Sequence, residues 1–115
     1  MEELKSIEIH PNVWDLLSFA TSEKNIKKEY KAYMELPTRK LYAYKVDGEI
    51  VGCIGIKFLV NKRCEIKHIA VMPSHRKENI GSKMINFILE KYSFASILAE
   101  TDKGLYTFIK NMDSQ

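Results

Sequence analysis

Residues Cys64 to Ile85, CEIKHIAVMPSHRKENIGSKMI, carry the types and spacing on which chemistry can be built. CEIKHIAV is short and rich in β-formers, and Pro73 stops it because proline supplies no ladder donor. Ser74-His75-Arg76-Lys77-Glu78-Asn79-Ile80-Gly81 follows, and then apolar residues at helical spacing. A loop between a strand and a helix aims successive backbone N–H groups at one spot, which attracts anions and phosphates above all. Charge agrees. Asn61 to Lys83 holds six Lys/Arg against two Glu, a local +4, while the rest of the chain carries −1 of the net +3. A concentrated positive field suits a phosphate-bearing ligand, although charge alone favours the plainer reading of a solvated basic loop. Nucleic acid calls for a broader basic face with stacking aromatics, so a nucleic-acid module ranks third among the readings and no such partner is expected.

These residues must be positioned by a small fold. At 115 residues, 45% apolar and 29% charged, the chain reads as one globular domain, 1–115. No apolar run approaches the ~20 residues that span a bilayer. The acidic, alternating MEELKSIEIH is unlike a signal peptide, so the expected location is cytoplasmic, with no membrane partner. Cys53 and Cys64 sit in apparent strands and read as lone thiols. His10, His68 and His75 are scattered, so no metal site is expected.

Leu4 to Ile9 alternates, which predicts a first strand. Pro11 suits a first helical turn, and Val13, Leu16, Leu17 and Ala20 supply its buried stripe. Thr21 or Ser22 can cap a second helix bearing Ile26, Tyr30, Tyr33 and Met34, which Pro37 ends. Lys40 to Val46 reads as a strand, Asp47-Gly48 as a two-residue hairpin, and Glu49 to Val60 as a central return strand. Gly52 and Gly55 within that strand suggest a bulge or a close packing approach. After the Cys64–Val71 strand, Ile80, Met84, Ile85, Phe87, Ile88 and Tyr92 form one helical face. Ala95 to Glu100 reads as a strand and Gly104 to Met112 as a last short helix. The order β-α-α-β-β-β-α-β-α predicts an α/β (mixed α+β) fold, with a mixed, largely antiparallel sheet and helices on both faces.

This order, together with Ile69-Ala70-Val71, Pro73 and Arg76-Lys77-Glu78-Asn79-Ile80-Gly81, resembles the GNAT superfamily of acetyl-CoA-dependent N-acetyltransferases. The likeness also covers the Asp47-to-Gly52 hairpin and Ala99-Glu100-Thr101, so that roughly Leu41 to Phe108 looks GNAT-like. The resemblance implies acetyl-CoA as cosubstrate, with the pyrophosphate on the amides of Arg76 through Gly81. Pantetheine and acetyl would run along Ile69 and Val71. The implied binding set is Ile69, Ala70, Val71, Arg76, Lys77, Glu78, Asn79, Ile80, Gly81 and Ser82.

Asn79 stands where the family prefers glycine, yet asparagine tolerates left-handed backbone and makes a good N-cap. Ile109 stands where many members carry a tyrosine that protonates the departing thiolate. Tyr106, three residues earlier on nearly the same helical face, is the expected substitute or else a packing aromatic. The family's two closing strands have no counterpart before Gln115, so the Ala95–Glu100 strand is expected to have an exposed side, which a homodimer would cover.

Glu65 aligns with a glutamate that serves as base in some members; without that likeness it reads as a solvent-facing strand residue paired with Lys67. His68, an odd number of positions away, is expected on the other face of the sheet unless a bulge intervenes. His75 reads as an exposed loop residue, Tyr30 and Tyr33 as core, and Glu100 as a possible contact for a cationic substrate. The first functional expectation is acetyl transfer to a primary amine of a small molecule or peptide, by direct attack in a ternary complex. The second is an acyl-CoA-binding domain with little or no turnover.

Overall fold

The computed structural model describes residues 1–101 and 104–109, with Glu100 onward described through the backbone alone. The hairpin turns set its architecture. Asp47 and Gly48 both take positive φ, 53° and 82°, the paired left-handed turn whose twist matches the strands it joins. It links β2 (Arg39–Val46) to β3 (Glu49–Leu59), and a turn with Asn61 and Lys62 at positive φ links β3 to β4 (Arg63–Val71). With β1 (Glu2–Glu3), β5 (Ser96–Thr101) and β6 (Gly104–Ile109) these form one six-stranded sheet in the order β1-β2-β3-β4-β5-β6. Every neighbouring pair is antiparallel except β4 and β5, which run parallel across the crossover made by α3 (Ile80–Tyr92).

Helices cover both faces, as their apolar stripes require. On one face Val13, Leu16 and Leu17 of α1 (Pro11–Ala20) and Ile26, Tyr30 and Tyr33 of α2 (Glu23–Glu35) bury against Leu41, Ala43, Ile50, Cys53 and Ala70. On the other, Ile80, Met84 and Ile88 of α3 bury against Tyr42, Val51, Ile54, Ile56, Cys64 and Ile66. Gly52 lets α3 approach: a Cβ there would lie 3.2 Å from the Ile80 side chain and 3.3 Å from that of Met84. The predicted mixed sheet with helices on both faces is therefore observed. Cys53 and Cys64 are both free and buried on opposite faces. Among the described residues, no helix is long and apolar enough to cross a membrane.

Three expectations are corrected. Leu4 to Ile9 is not a strand, because pairing with β2 ends at Glu3. Beyond Leu4, whose amide donates to the Leu41 carbonyl at 2.8 Å, the segment is held from the side, as the Tyr30 hydroxyl donates to the Ser6 carbonyl at 2.6 Å. Gly104 to Ile109 is a strand and not a helix; residues 110–112 of that expected helix lie outside the described residues. Since β6 pairs with β5 from Ser96↔Ile109 to Thr101↔Gly104, β5 has neighbours on both sides, and the ground for expecting a second copy there is gone.

Candidate active site

β4 and β5 pair only from Arg63↔Ser96 to Ile66↔Ala99, and then part. Beyond Ile66, the β5-facing edge of β4 from Lys67 to Val71 has no strand paired to it among the described residues. At the same level the β3–β4 register shifts: Gly55 faces His68, Ile56 faces Ile66, and Lys67 is left as the extra residue of a bulge. A bulge bends its strand and raises local twist. Here it coincides with the divergence of β4 from β5.

The chain leaves β4 through a short 3-10 turn, Pro73–His75, into the basic loop. The loop's rungs are His75 N–H to Met72 O at 2.9 Å, Arg76 N–H to Pro73 O at 3.4 Å and Glu78 N–H to His75 O at 3.3 Å, so the amides of Arg76 and Glu78, expected to face the pyrophosphate, already have partners. The α3 ladder opens with Lys83 N–H to Asn79 O at 3.0 Å. The amides of Asn79, Ile80, Gly81 and Ser82 precede that rung, as the orphan donors of a helix start must. Asn79 takes φ 60° and ψ 28°, so the left-handed backbone expected of it is adopted, though its side chain makes no capping bond. A left-handed residue followed by a right-handed one turns successive N–H groups into a concavity suited to an anion. A Cβ on Gly81 would meet no atom of another described residue within 4 Å, so the space beside it in the first turn of α3 is open. Ile80 contributes only its amide, because its side chain is buried in the core.

Arg76 is anchored rather than free. Its Nε donates to the Val71 carbonyl at 2.9 Å, and its guanidinium lies 5.1 Å over the Phe19 ring of α1. The end of β4, the loop and α1 are thereby tied together, and the Val71 carbonyl already has one donor. Lys77 and Lys83 are exposed, while His75 and Glu78 pair with each other at 3.0 Å. The structure thus gathers Ile69, Ala70 and Val71 on the free stretch of β4, and Arg76 through Ser82 in the loop at its end.

Glu65 lies in a cross-strand row, Arg39–Lys57–Glu65–Leu98, and pairs with Lys67 Nζ at 3.7 Å. It is the expected strand glutamate beside Lys67, and its Leu98 rung lies one before the last β4–β5 pair. Tyr106 sits in β6 opposite Ala99, level with the last β4–β5 rung, so the helical-face reasoning that placed it is replaced by strand register. The side chains of Tyr106 and Glu100 lie outside the described ones.

His68 is where reading by parity fails. The Lys67 bulge reverses the alternation, so Glu65 and His68 share the α1/α2 face while Ile66, Ile69 and Val71 pack on the α3 side. There His68 belongs to a buried polar set that sequence reasoning missed. Its Nδ1 hydrogen-bonds the Tyr33 hydroxyl, and its Nε2 lies 3.8 Å from Glu29 Oε1. Glu29 Oε1 accepts from Arg39 Nη2 at 2.9 Å, and the Arg39 guanidinium stacks 4.3 Å from the Tyr33 ring centroid. The legible signal was the spacing of Cys64, Ile66, Ile69 and Val71, whose odd step from 66 to 69 cannot keep one face without a bulge.

Burial holds His68 below its ordinary 6.5, and the hydrogen bond from Arg39 holds Glu29 below its ordinary 4.5. Both folded-state values are depressed, so the unfolded chain binds these protons more readily and stability rises with pH. The His68 contribution is complete above 6.5 and is lost as pH falls through its folded value; the Glu29 contribution is lost at lower pH still. Thermal melts should therefore show Tm beginning to drop below about pH 6.5, and His68→Asn should flatten that first decline. An unchanged decline in the variant would assign it to other groups.

Residues 7–104 match the acetyltransferase (GNAT) family. An uncharacterized N-acetyltransferase encoded in the lysA 3′ region of Bacillus methanolicus is 38% identical over 80 residues, 67% of each chain. Among solved structures, an IAA acetyltransferase from Bacillus cereus superposes with a TM-score of 0.65 at 24% identity, covering 87% of this chain and 63% of that one. A GNAT family acetyltransferase from Elizabethkingia anophelis with acetyl-CoA bound gives 0.67 at 23%, covering 87% and 63%. Those two likenesses are of fold, and the chain spans under two thirds of either structure's length. The chain belongs to the GNAT family of acetyltransferases.

Proposed function

We propose that the protein transfers an acetyl group from acetyl-CoA to a primary amine of a small molecule or peptide. One observation carries this reading: an open concavity of amides at Asn79–Ser82 stands at the end of a strand whose edge from Lys67 to Val71 has no partner strand among the described residues. The amides and Lys77 would hold the pyrophosphate. The free edge of β4 would pair with the amides of pantetheine, as an added strand does. The thioester would then lie where β4 and β5 part, beside Glu65.

The reaction is a direct displacement. The neutral amine attacks the thioester carbonyl, forming C–N, and collapse of the tetrahedral intermediate breaks C–S and releases the CoA thiolate. Before attack Glu65, the proposed general base, takes the ammonium proton through water, and the second proton that nitrogen sheds on collapse replaces the one given to the thiolate. Tyr106, level with the last β4–β5 rung, is the proposed donor to the thiolate. Holding both reactants at the divergence lowers the barrier by removing the entropy of encounter.

Calorimetric titration with acetyl-CoA, and with CoA for comparison, tests the site. Micromolar binding is expected, and a folded, monodisperse sample that binds neither would sink the reading. Screening amines for CoA release then separates an enzyme from an acyl-CoA-binding domain, which would bind without turnover. Glu65→Gln should lower kcat by about 100-fold or more below pH 8, with the deficit shrinking as the amine loses its own proton. A pH–rate profile parallel to that of the wild type would remove Glu65 as base.

A further inference from the structure

The Tyr33–His68–Glu29–Arg39 set has no part in the chemistry described above, yet burying it is costly. Tyr33, Arg39 and His68 are all under a tenth exposed, and Arg39 Nε is buried with no partner among the described residues. Polar groups are kept in a core only where they are hydrogen-bonded, and their geometric demands then specify one arrangement over others. Its position suggests what this set specifies. His68 is the first residue beyond the bulge, Gly55 is its cross-strand partner, and Tyr33 lies where a Gly55 Cβ would be. The Tyr33 hydroxyl reaches His68 only because residue 55 has no side chain.

A bulge can migrate along a strand unless side chains fix it. Moving this one C-terminal of His68 would carry His68 to the apolar α3 face and take it from Tyr33. The Tyr33–His68 hydrogen bond therefore opposes that slide. The bulge also marks the point at which β4 leaves β5, after Ile66↔Ala99.

We propose that Tyr33 and His68 are positioning residues that pin the Lys67 bulge and so set the β4 edge against which the acyl group of the thioester is read. Neither touches the substrate; both act through the backbone of residues 66–68. The inference rests on acetyl-CoA lying along β4, and it predicts a division of labour. The loop at Asn79–Ser82 sets affinity for the CoA moiety, while the pinned bulge distinguishes acetyl-CoA from free CoA.

The experiment needs no acceptor. Affinities for acetyl-CoA and CoA are measured by calorimetry on the wild-type protein and on Tyr33→Phe, His68→Leu and His68→Asn, each checked for folding by circular dichroism. Tyr33→Phe removes only the hydroxyl. His68→Leu removes the ring nitrogen that bonds Tyr33, and His68→Asn restores a polar atom close to the place of Nδ1. The wild type should bind acetyl-CoA more tightly than CoA. In Tyr33→Phe and His68→Leu that ratio should fall at least about threefold, with CoA affinity unchanged within twofold, while His68→Asn keeps the wild-type ratio. A cluster that merely stabilised the fold would lower Tm and leave the ratio alone, which would overturn the inference. So would equal loss of both affinities, or a wild type that does not distinguish the two ligands. A wild type that binds neither ligand would instead overturn the functional reading on which the inference rests.

Discussion

Gly81→Glu should abolish CoA binding, with a loss of at least about 100-fold, while leaving the protein as stable as the wild type or more so. The two effects have separate causes. A side chain at this position projects into open space, since a Cβ there meets no neighbour, so nothing in the fold is displaced. Replacing glycine in the first turn of a helix removes up to about 1 kcal/mol of conformational penalty, and a carboxylate near the helix N-terminus is favourable. The same carboxylate would occupy the concavity of amides and repel an incoming pyrophosphate. Like charges in contact cost several kcal/mol, and about 2.7 kcal/mol is already 100-fold. Gly81→Ala is the control: it should share the gain in Tm and lose far less affinity. Calorimetry with CoA and a thermal melt on the same samples check both halves. Undiminished affinity in a folded Gly81→Glu protein would move the phosphate site elsewhere.

Gly55→Ala should destabilise by about 3 kcal/mol, large for one methyl group. Overpacking a tight site costs about 1–3 kcal/mol, and the displaced Tyr33 also forfeits a buried hydrogen bond worth about 1 kcal/mol. The obstruction is the rigid end of the Tyr33 ring, the hydroxyl and two ring carbons, which no rotamer change can soften. A double-mutant cycle identifies the cause. Tyr33→Ala alone creates a cavity and is itself costly, but once the ring is gone the added methyl meets no clash. Gly55→Ala in the Tyr33→Ala background should therefore cost less than 1 kcal/mol in urea denaturation. Additive effects would show that the glycine serves the bulge backbone alone.

How much of this could be read from the chain depends on how local the governing physics is. Asp47-Gly48, Pro11 and the stripes of α1, α2 and α3 are local signals, and each element formed where its residues indicated, although Ala20, expected in the buried stripe of α1, is exposed. The basic loop was legible too, because Asn79 carries its own tolerance for left-handed backbone. Leu4–Ile9 and Gly104–Ile109 were misread for one shared reason. Both are short apolar segments whose periodicity fits more than one state, so a partner decides. The edge of β5 recruited Gly104–Ile109 as a strand, whereas Leu4–Ile9 was claimed by Tyr30 and by the packing of α2.

The sequence by itself determined the sheet's central hairpins, the helices that cover it and the basic loop, because turn chemistry and amphipathic spacing act within a few residues. Only the tertiary structure decided which face each residue of β4 serves. One extra residue at Lys67 reverses every side chain after it. That reversal joined His68 to Tyr33, Glu29 and Arg39 and put it on the face of Glu65. Those partners lie up to 39 positions from His68, on α2 and β2, and only packing brings them together.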